Sequence, residues 1–198
     1  MEAPVAETPV TETRARRRAE GHEARGRAIL EAARAVLSEQ GISGLTMRMV
    51  AGRAGYTAGA VYSYFSSREA LLAALAADEL DAAARVLKSA PRDLESLSLP
   101  LAEALRRVVP LLAAARRGDV PAETERALTG RIIRILHIFN AATGPGGVRA
   151  SGPAGEAADT LALWSGLVGV ALLAWSGRFH SLGVAEEDVI AALAARFS

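Results

Sequence analysis

The chain has 198 residues, of which 51% are apolar, and a net charge of +1. This length allows one or two domains, and a composition rich in Ala, Leu and Arg predicts a folded helical protein rather than a disordered one. The sequence contains no cysteine, which excludes disulfides, thiolate metal sites and cysteine nucleophiles.

The first predicted elements lie in the basic N-terminal third. Residues 1 to 22 predict a disordered arm, because they combine Pro, Thr, Glu and an arginine run with almost no large apolar residues. A helix follows from about Ala24 to Gly41, which can end it as a left-handed cap. Another helix is predicted to start at Ser66 or Ser67, since Ser66 and Glu69 have the spacing of a capping box.

Further helices are predicted at 99 to 117, 121 to 142, 156 to 177 and 184 to 197. Pro110 predicts a kink or break near Val109, because proline removes a helix hydrogen bond. The glycine-rich stretch from 143 to 155 predicts a mobile loop. The apolar segment 161 to 175 is shorter than the span of about 20 residues that crosses a membrane, so it predicts a buried helix. The expected fold is all-α with about nine helices.

Charge is distributed unevenly along the chain. Residues 14 to 68 contain ten arginines and four glutamates, a net charge of +6, whereas residues 69 to 198 carry a net charge of −2. A basic third beside a mildly acidic remainder favours contact with a polyanion. The alternative is that arginine occupies ordinary solvated faces. Likewise, the arginine run at 14 to 18 either reaches along the phosphates or into the minor groove of a nucleic acid, or forms a solvated tail.

Residues 46 to 65 have the pattern of two short helices joined by a tight corner. Thr46 and Thr57 can each cap a helix, and Gly55 can adopt the positive φ of the turn. Val61 and Phe65, four residues apart, are expected to anchor the second helix to the core. This arrangement is typical of a helix–turn–helix.

The outward face of the second helix carries little bulk. Opposite its anchors lie small or hydroxyl-bearing residues: Gly59, Ser63, Ala60 and Tyr62. A plain exposed face gains little from these residues, but a face of this kind can lie deep in a DNA major groove. There an Ala methyl can meet a thymine methyl, and hydroxyls can reach bases or phosphates. The pattern therefore predicts a recognition helix.

The run LTMRMVAGRAGYTAGAVYSYFSSREALL, Leu45 to Leu72, resembles the N-terminal DNA-binding domain of the TetR family of transcriptional regulators. The match extends from Ala24 to Leu75. It implies a helix–turn–helix domain at 23 to 68 and a helical effector-binding and dimerisation domain at 69 to 198.

The resemblance also implies residue roles at the DNA. Phosphate contacts are implied for Thr46, Thr57, Tyr64 and Arg68. Positions at or near base edges are implied for Arg48, Ala58, Gly59, Ala60, Tyr62 and Ser63. Three departures from the family pattern are Met49 in place of an acidic residue, Tyr56 in place of Val, and alanines at 58 and 60 in place of polar residues.

For the larger domain, the resemblance implies a homodimer and an unknown small-molecule effector whose binding releases a palindromic operator. The expected dimer surface lies on the last two long helices, with Trp164, Leu167, Val168, Leu172 and Trp175. Candidate effector contacts are Pro110, Arg131, Arg134, His137, Asn140 and Trp164. The alternative for the two arginines and the histidine is a solvated helix stripe.

No pattern indicates catalysis. The three histidines lie far apart in the sequence, at His22, His137 and His180, and no metalloprotease or nucleotide-binding motif occurs. We therefore predict a cytoplasmic regulator of double-stranded DNA, most simply a repressor, with no enzymatic activity, cofactor, metal or membrane contact. A dimeric regulator that has no small-molecule effector is the alternative.

Overall fold

The computed structural model describes residues 9–115, 120–143 and 153–197. These residues form nine helices and no strand, which confirms the predicted all-α fold. The chain divides into two compact units, Met1–Ser66 and Ser67–Ser198. The helices are α1 (Pro9–Gly44), α2 (Met47–Ala54), α3 (Ala58–Tyr62), α4 (Arg68–Ser89), α5 (Leu94–Ala115), α6 (Ala122–Thr143), α7 (Pro153–Trp175), α8 (Arg178–Leu182) and α9 (Glu186–Phe197).

Helix α1 begins at Pro9, well before the start expected near Ala24. The early part of α1 consists largely of Ala, Arg and Glu, which are good helix formers, and its side chains from 16 to 20 are exposed. Residues 1–8 of the predicted arm lie outside the described residues. At the other end, Gly41 has the expected positive φ of 68°, and one short turn continues beyond it to Gly44.

The first unit is held together by the packing of α1 on α2 and of α2 on α3. Helix α1 contributes a stripe of buried apolar residues: Ile29, Ala32, Ala33 and Val36. Arg53 on α2 donates to both carboxylate oxygens of Glu39 on α1. This bidentate pair fixes the orientation of α2 as well as adding an ion pair.

In the second unit, α4 packs against α5 and α6, and α5 packs against α7 and α9. The core consists mainly of leucines, of which Leu71, Leu75, Leu101 and Leu105 are almost completely buried. Ion pairs join the same helices at the surface. Arg107 on α5 lies 2.7 Å from Glu79 on α4, and Arg106 on α5 lies 3.5 Å from Glu186 on α9.

Side-chain caps set the starts of α4 and α5. Of the two serines predicted to begin α4, Ser67 is the cap, because its hydroxyl accepts a hydrogen bond from the Ala70 N–H at 3.0 Å. Helix α5 begins at Leu94 rather than 99. Its cap is Asp93, whose carboxylate accepts a hydrogen bond from the Ser96 N–H at 2.8 Å. Hydrogen bonds from the Ser96 backbone and side chain hold the pKa of the Asp93 carboxyl below its usual range.

The predicted break near Val109 does not occur, because α5 continues through Pro110 to Ala115. Pro110 is buried, and its neighbours Val108 and Leu111 are buried in the core of the unit. Tertiary packing of this kind can outweigh the loss of one helix hydrogen bond. The glycine-rich loop predicted at 143 to 155 lies mostly outside the described residues; α7 begins at Pro153.

Helix α7 is buried on one face only, whereas the sequence predicted a buried helix. Leu163, Leu167 and Val170 lie in the core, but Leu172 and Trp175 are exposed. By length and composition alone α7 could cross a membrane: its segment Ala158–Trp175 has a mean hydropathy of 1.5, and 28% of it is buried.

Candidate functional sites

The corner between α2 and α3 is built by backbone hydrogen bonds around one glycine. Gly55 has a φ of 72° and donates its N–H to the Gly52 carbonyl at 3.3 Å. The next residue, Tyr56, donates to the Ala51 carbonyl at 2.9 Å. These bonds satisfy carbonyls at the C-terminus of α2, as a left-handed helix cap should. The predicted role of Gly55 is confirmed.

We expect Gly55→Ala to destabilise the first unit by about 1–2 kcal/mol, because a residue with a Cβ is strained at positive φ. No atom of the described residues lies within 4 Å of the added Cβ, so the effect would come from backbone strain alone. Urea unfolding followed by circular dichroism would measure it. Gly52→Ala is the matched control, since Gly52 is helical, exposed and equally uncrowded. An equal loss of stability in both variants would contradict the argument.

Two threonines begin the two helices of the motif. The Thr46 hydroxyl accepts from the Met49 N–H at 3.3 Å, and the Thr57 hydroxyl accepts from the Ala60 N–H at 3.2 Å. Both capping predictions are confirmed. Both threonines are exposed. Because a hydroxyl that accepts still has a proton to donate, capping leaves each threonine able to contact a phosphate.

Helix α3 is short and presents little bulk to solvent. Val61 is its one buried residue, and Gly59, Tyr62 and Ser63 at its outward side are exposed. The Ser63 hydroxyl donates to the Ala60 carbonyl at 2.7 Å. Towards any other partner the Ser63 oxygen can therefore act only as a hydrogen-bond acceptor. Phe65, predicted as a core anchor with Val61, keeps partial exposure. The predicted small outward face is present.

Tyr62 and Tyr64 have different surroundings. Tyr62 is 51% exposed. Tyr64 is half-buried, and its ring stacks on the imidazole of His22 with 4.3 Å between ring centroids and 21° between planes. Gly26, one turn further along α1, leaves room for this ring: an added Cβ there would lie 3.7 Å from it. The contact of His22 with Tyr64 could not be predicted from the sequence, since no local pattern relates two residues 42 positions apart.

The arginines around the motif are not equivalent. Arg48 is exposed on α2, whereas Arg53 is held by Glu39. Arg68 is the first residue of α4, belongs to the second unit, and lies 3.8 Å from the Glu69 carboxylate. On α1, a further group of exposed arginines consists of Arg14, Arg16, Arg17, Arg18, Arg25 and Arg27. The first unit therefore carries a strongly basic surface.

The six candidate effector residues do not share one cavity. Pro110 is buried within α5, Arg131 binds Asp81 at 2.7 Å, and Trp164 is half-buried on α7. Asn140 accepts a hydrogen bond from Thr160 at 3.3 Å. Spacing along α6 does not reveal which residues face a neighbouring helix, and an effector contact stays a prediction for these four residues.

Arg134 and His137 do line a cleft of about 510 Å³ in the second unit. The cleft lies beside the end of α4, the start of α5 and the second half of α6. Its other lining residues are Leu87, Lys88, Arg92, Leu97, Ile138 and Ala141. A smaller cavity of about 180 Å³ lies near Ala73 on α4 and Leu128 on α6. The larger volume falls within the range of small-molecule pockets.

Comparison with known proteins places this geometry in a family. Residues 29–75 match the family model described as bacterial regulatory proteins of the tetR family. No curated protein sequence matches the chain.

Solved structures share the fold over most of the chain. A TetR transcriptional regulator from Rhodococcus sp. RHA1 has a TM-score of 0.66 at 22% identity, covering 89% of this chain and 94% of its own. A protein of unknown function from the same organism has a TM-score of 0.65 at 22% identity, with coverages of 87% and 92%. For the TetR-family regulator PfmR from Thermus thermophilus, the TM-score is 0.56 at 21% identity, with coverages of 85% and 96%.

The matched segment contains all of α2 and α3 and the corner between them. The neighbouring structures extend the similarity to the helices that follow. A TetR-type regulator is a transcription factor and not an enzyme. Residues 29–75 of this chain are therefore a DNA-binding domain of the tetR family, and the chain as a whole has the fold of TetR-type transcriptional regulators.

Proposed function

We propose that this regulator is a homodimeric repressor that binds a palindromic operator and is released by a small-molecule effector. The observation that carries the DNA-binding part is the outward face of α3, where Gly59 and Ser63 leave room for close approach beside a well-capped corner. We place the protein in the cytoplasm, where it has access to DNA.

In this proposal Thr46, Thr57, Tyr64 and Arg68 contact phosphates, and these contacts set the position of α3 in the groove. Base edges are met by the outward side of α3 and by Arg48 on α2. Ser63 acts there as an acceptor, because its proton is committed to the Ala60 carbonyl. Amino groups of adenine or cytosine are the donors that such an acceptor fits in the major groove.

Dimerisation is supported by a largely apolar stripe on α7, which we call the α7 stripe: Leu161, Ser165, Val168, Leu172 and Trp175. Its spacings of four and three residues keep these side chains on one helix face. Leu161 and Trp175 are 53% and 54% exposed in the single chain, an unusual state for large apolar groups unless they meet a partner. A second copy provides the twofold symmetry that a palindromic operator requires.

Part of the predicted dimer surface belongs to the chain's own core instead. Leu167 is fully buried, and Gly166 lies where α7 meets α9 of the same chain, since a Cβ there would lie 3.0 Å from a Leu193 methyl. The α7 stripe lies on another face of the helix. We therefore assign the dimer contact to the α7 stripe, and Leu167 to the core of the single chain.

Release by an effector requires a ligand that binds the DNA-incompetent conformation more tightly than the competent one. The cleft lined by Arg134 and His137 supports this part of the proposal, because it combines an aliphatic wall with several cations.

Selection of bound sequences from a random duplex library, with purified protein, tests the proposed function. A palindromic consensus with half-sites about one helical turn apart is expected for a dimer with two recognition helices. Effector candidates can then be tested for release of that duplex. Enrichment of one unrepeated half-site would contradict the dimeric operator, and a repressor further requires that the operator lie where it blocks transcription.

Tyr64→Phe should weaken binding about threefold to tenfold on every duplex, because it removes one hydroxyl-to-phosphate hydrogen bond. The phenyl ring can still stack on His22, so the local structure should be preserved. Fluorescence anisotropy with the selected operator and a scrambled duplex would measure the effect. A loss confined to the operator would instead place the Tyr64 hydroxyl at a base.

Arg68→Ala removes a positively charged phosphate contact, whereas Tyr64→Phe removes a neutral one. It should also weaken binding on every sequence, and it should lower the magnitude of the slope of log K against log salt by about 0.9, since one phosphate contact is lost. Tyr64→Phe should leave that slope unchanged, because a neutral hydroxyl releases no counterion. An Arg68→Ala protein with unchanged affinity and slope would contradict the phosphate assignment.

A further inference from the structure

We infer that the effector is an aliphatic carboxylate, held in the cleft lined by Arg134 and His137 with its charged end toward Lys88, Arg92 and Arg134. The inference rests on the proposed effector function and adds the chemical class of the ligand.

The apolar part of the cleft is wholly aliphatic. Its apolar lining residues are Leu87, Leu97, Ile138 and Ala141, and Leu87 and Leu97 are almost completely buried. Among the described residues, no aromatic side chain lines it apart from the imidazole of His137. A hydrocarbon chain therefore fits this wall better than a planar ring that seeks stacking partners.

The polar lining of the cleft contains only cations and an imidazole. Lys88 and Arg92 carry one positive charge each, and no carboxylate of the described part of the chain lines the cleft. The nearest acid along the chain, Asp93, is committed to the N-terminus of α5 through the Ser96 N–H. Within the described residues no ion pair joins Lys88 or Arg92 to an acid. Such a cluster favours an anion and opposes a cation.

Arg134 gives the cleft a connection to α4. One Asp81 carboxylate on α4 is shared by Arg131, at 2.7 Å, and Arg134, at 3.3 Å, so this trio retains one positive charge. A carboxylate in the cleft competes with Asp81 for Arg134, and this competition weakens one of the two contacts that hold Asp81 against α6. Helix α4 begins directly after the DNA-binding unit, so ligand binding acts on the helix through which the chain leaves that unit.

Lys88 is the only lysine in the sequence, and this provides a direct probe. Reductive ¹³C-methylation keeps the charge of the ammonium and labels Lys88 together with the terminal amine. We would titrate the labelled protein with octanoate, 1-octanol and octylamine. The expected result is a saturable shift of the Lys88 methyl signal with octanoate, at least about fivefold weaker binding of octanol, and no binding of octylammonium.

Two variants locate the site. Arg92→Gln should weaken octanoate binding about fivefold, as loss of one partly exposed charge contact predicts. Arg85→Gln is the matched control, because it removes an exposed charge from α4 one turn before Lys88 and does not line the cleft. Equal affinities for octanoate and octanol, no shift at Lys88, or an unaffected Arg92→Gln protein would each overturn the inference.

The same experiment separates the ligand class from the effector function, since the Lys88 signal requires no DNA. If octanoate saturates this signal without releasing the selected operator, carboxylate binding in the cleft is supported and the effector role is contradicted. Release of the operator by another compound, with no shift of Lys88 by octanoate, would support the effector role and overturn the carboxylate inference.

Discussion

Gly59→Leu is expected to weaken operator binding about 100-fold and leave the protein folded. Gly59 is exposed on α3, and a Cβ built there meets no atom of the described residues within 4 Å. Replacing a helical glycine should stabilise the free protein by about 0.5–1 kcal/mol. Against DNA the added side chain must occupy space that the groove wall needs. A bulky side chain inserted into a packed contact costs about 3 kcal/mol of binding free energy, so operator affinity should fall about 100-fold.

Anisotropy with labelled operator and thermal unfolding would measure the two effects on one preparation. Gly130→Leu is the matched control: Gly130 is exposed on α6, also has no described atom within 4 Å of its added Cβ, and lies in the second unit. It should leave operator affinity unchanged. A Gly59→Leu protein that still bound the operator normally would show that α3 does not enter the groove.

The double variant Leu172→Glu, Trp175→Glu is expected to convert the protein into a folded monomer. Both side chains are exposed in the single chain, at 45% and 54%, so glutamates can be accommodated there without entering the core. In the proposed dimer they would place unpaired charges in an apolar contact. Penalties of about 3–5 kcal/mol for such charges predict a rise of at least about 100-fold in the dimer dissociation constant.

Sedimentation velocity would report the oligomeric state, and operator binding should fall to the level of one half-site. Leu99→Glu provides the control, because Leu99 is an equally exposed leucine, at 45%, on α5 and outside the α7 stripe. It should remain a dimer. If the double variant stayed dimeric at low concentration, another surface would have to form the dimer.

The helix–turn–helix could be predicted from sequence because its determinants are local. A capping threonine, a glycine that needs positive φ and an apolar residue one turn later each act within a short stretch of chain. The corner at Gly55 and the caps at Thr46 and Thr57 formed as expected. The N-terminus of α5 precedes its leucine pattern, so that pattern predicts the helix start too late, at 99, although the cap Asp93 is also local.

Features that depend on tertiary packing were not predictable in the same way. Continuation of α5 through Pro110 depends on the helices packed around it. Of the six candidate effector residues, only Arg134 and His137 line the larger cleft, because periodicity along a helix does not show which residues face a cavity. Lys88 and Arg92, which complete its charge, lie far earlier in the sequence. The stacking of His22 on Tyr64 likewise joins residues that no periodic pattern connects.

In α3 the residue that packs against the core and the residues that face outward are different, and this separation affects how the protein can evolve. Val61 alone is buried in that helix, and the residues that face outward contribute almost nothing to packing. In the proposed DNA complex, substitutions at the exposed residues Gly59 and Ser63 are therefore expected to change what the helix recognises with little penalty to folding. Such a surface can move between operators by single steps without first acquiring compensating mutations, and the same freedom makes it a practical scaffold for libraries selected against chosen DNA sequences.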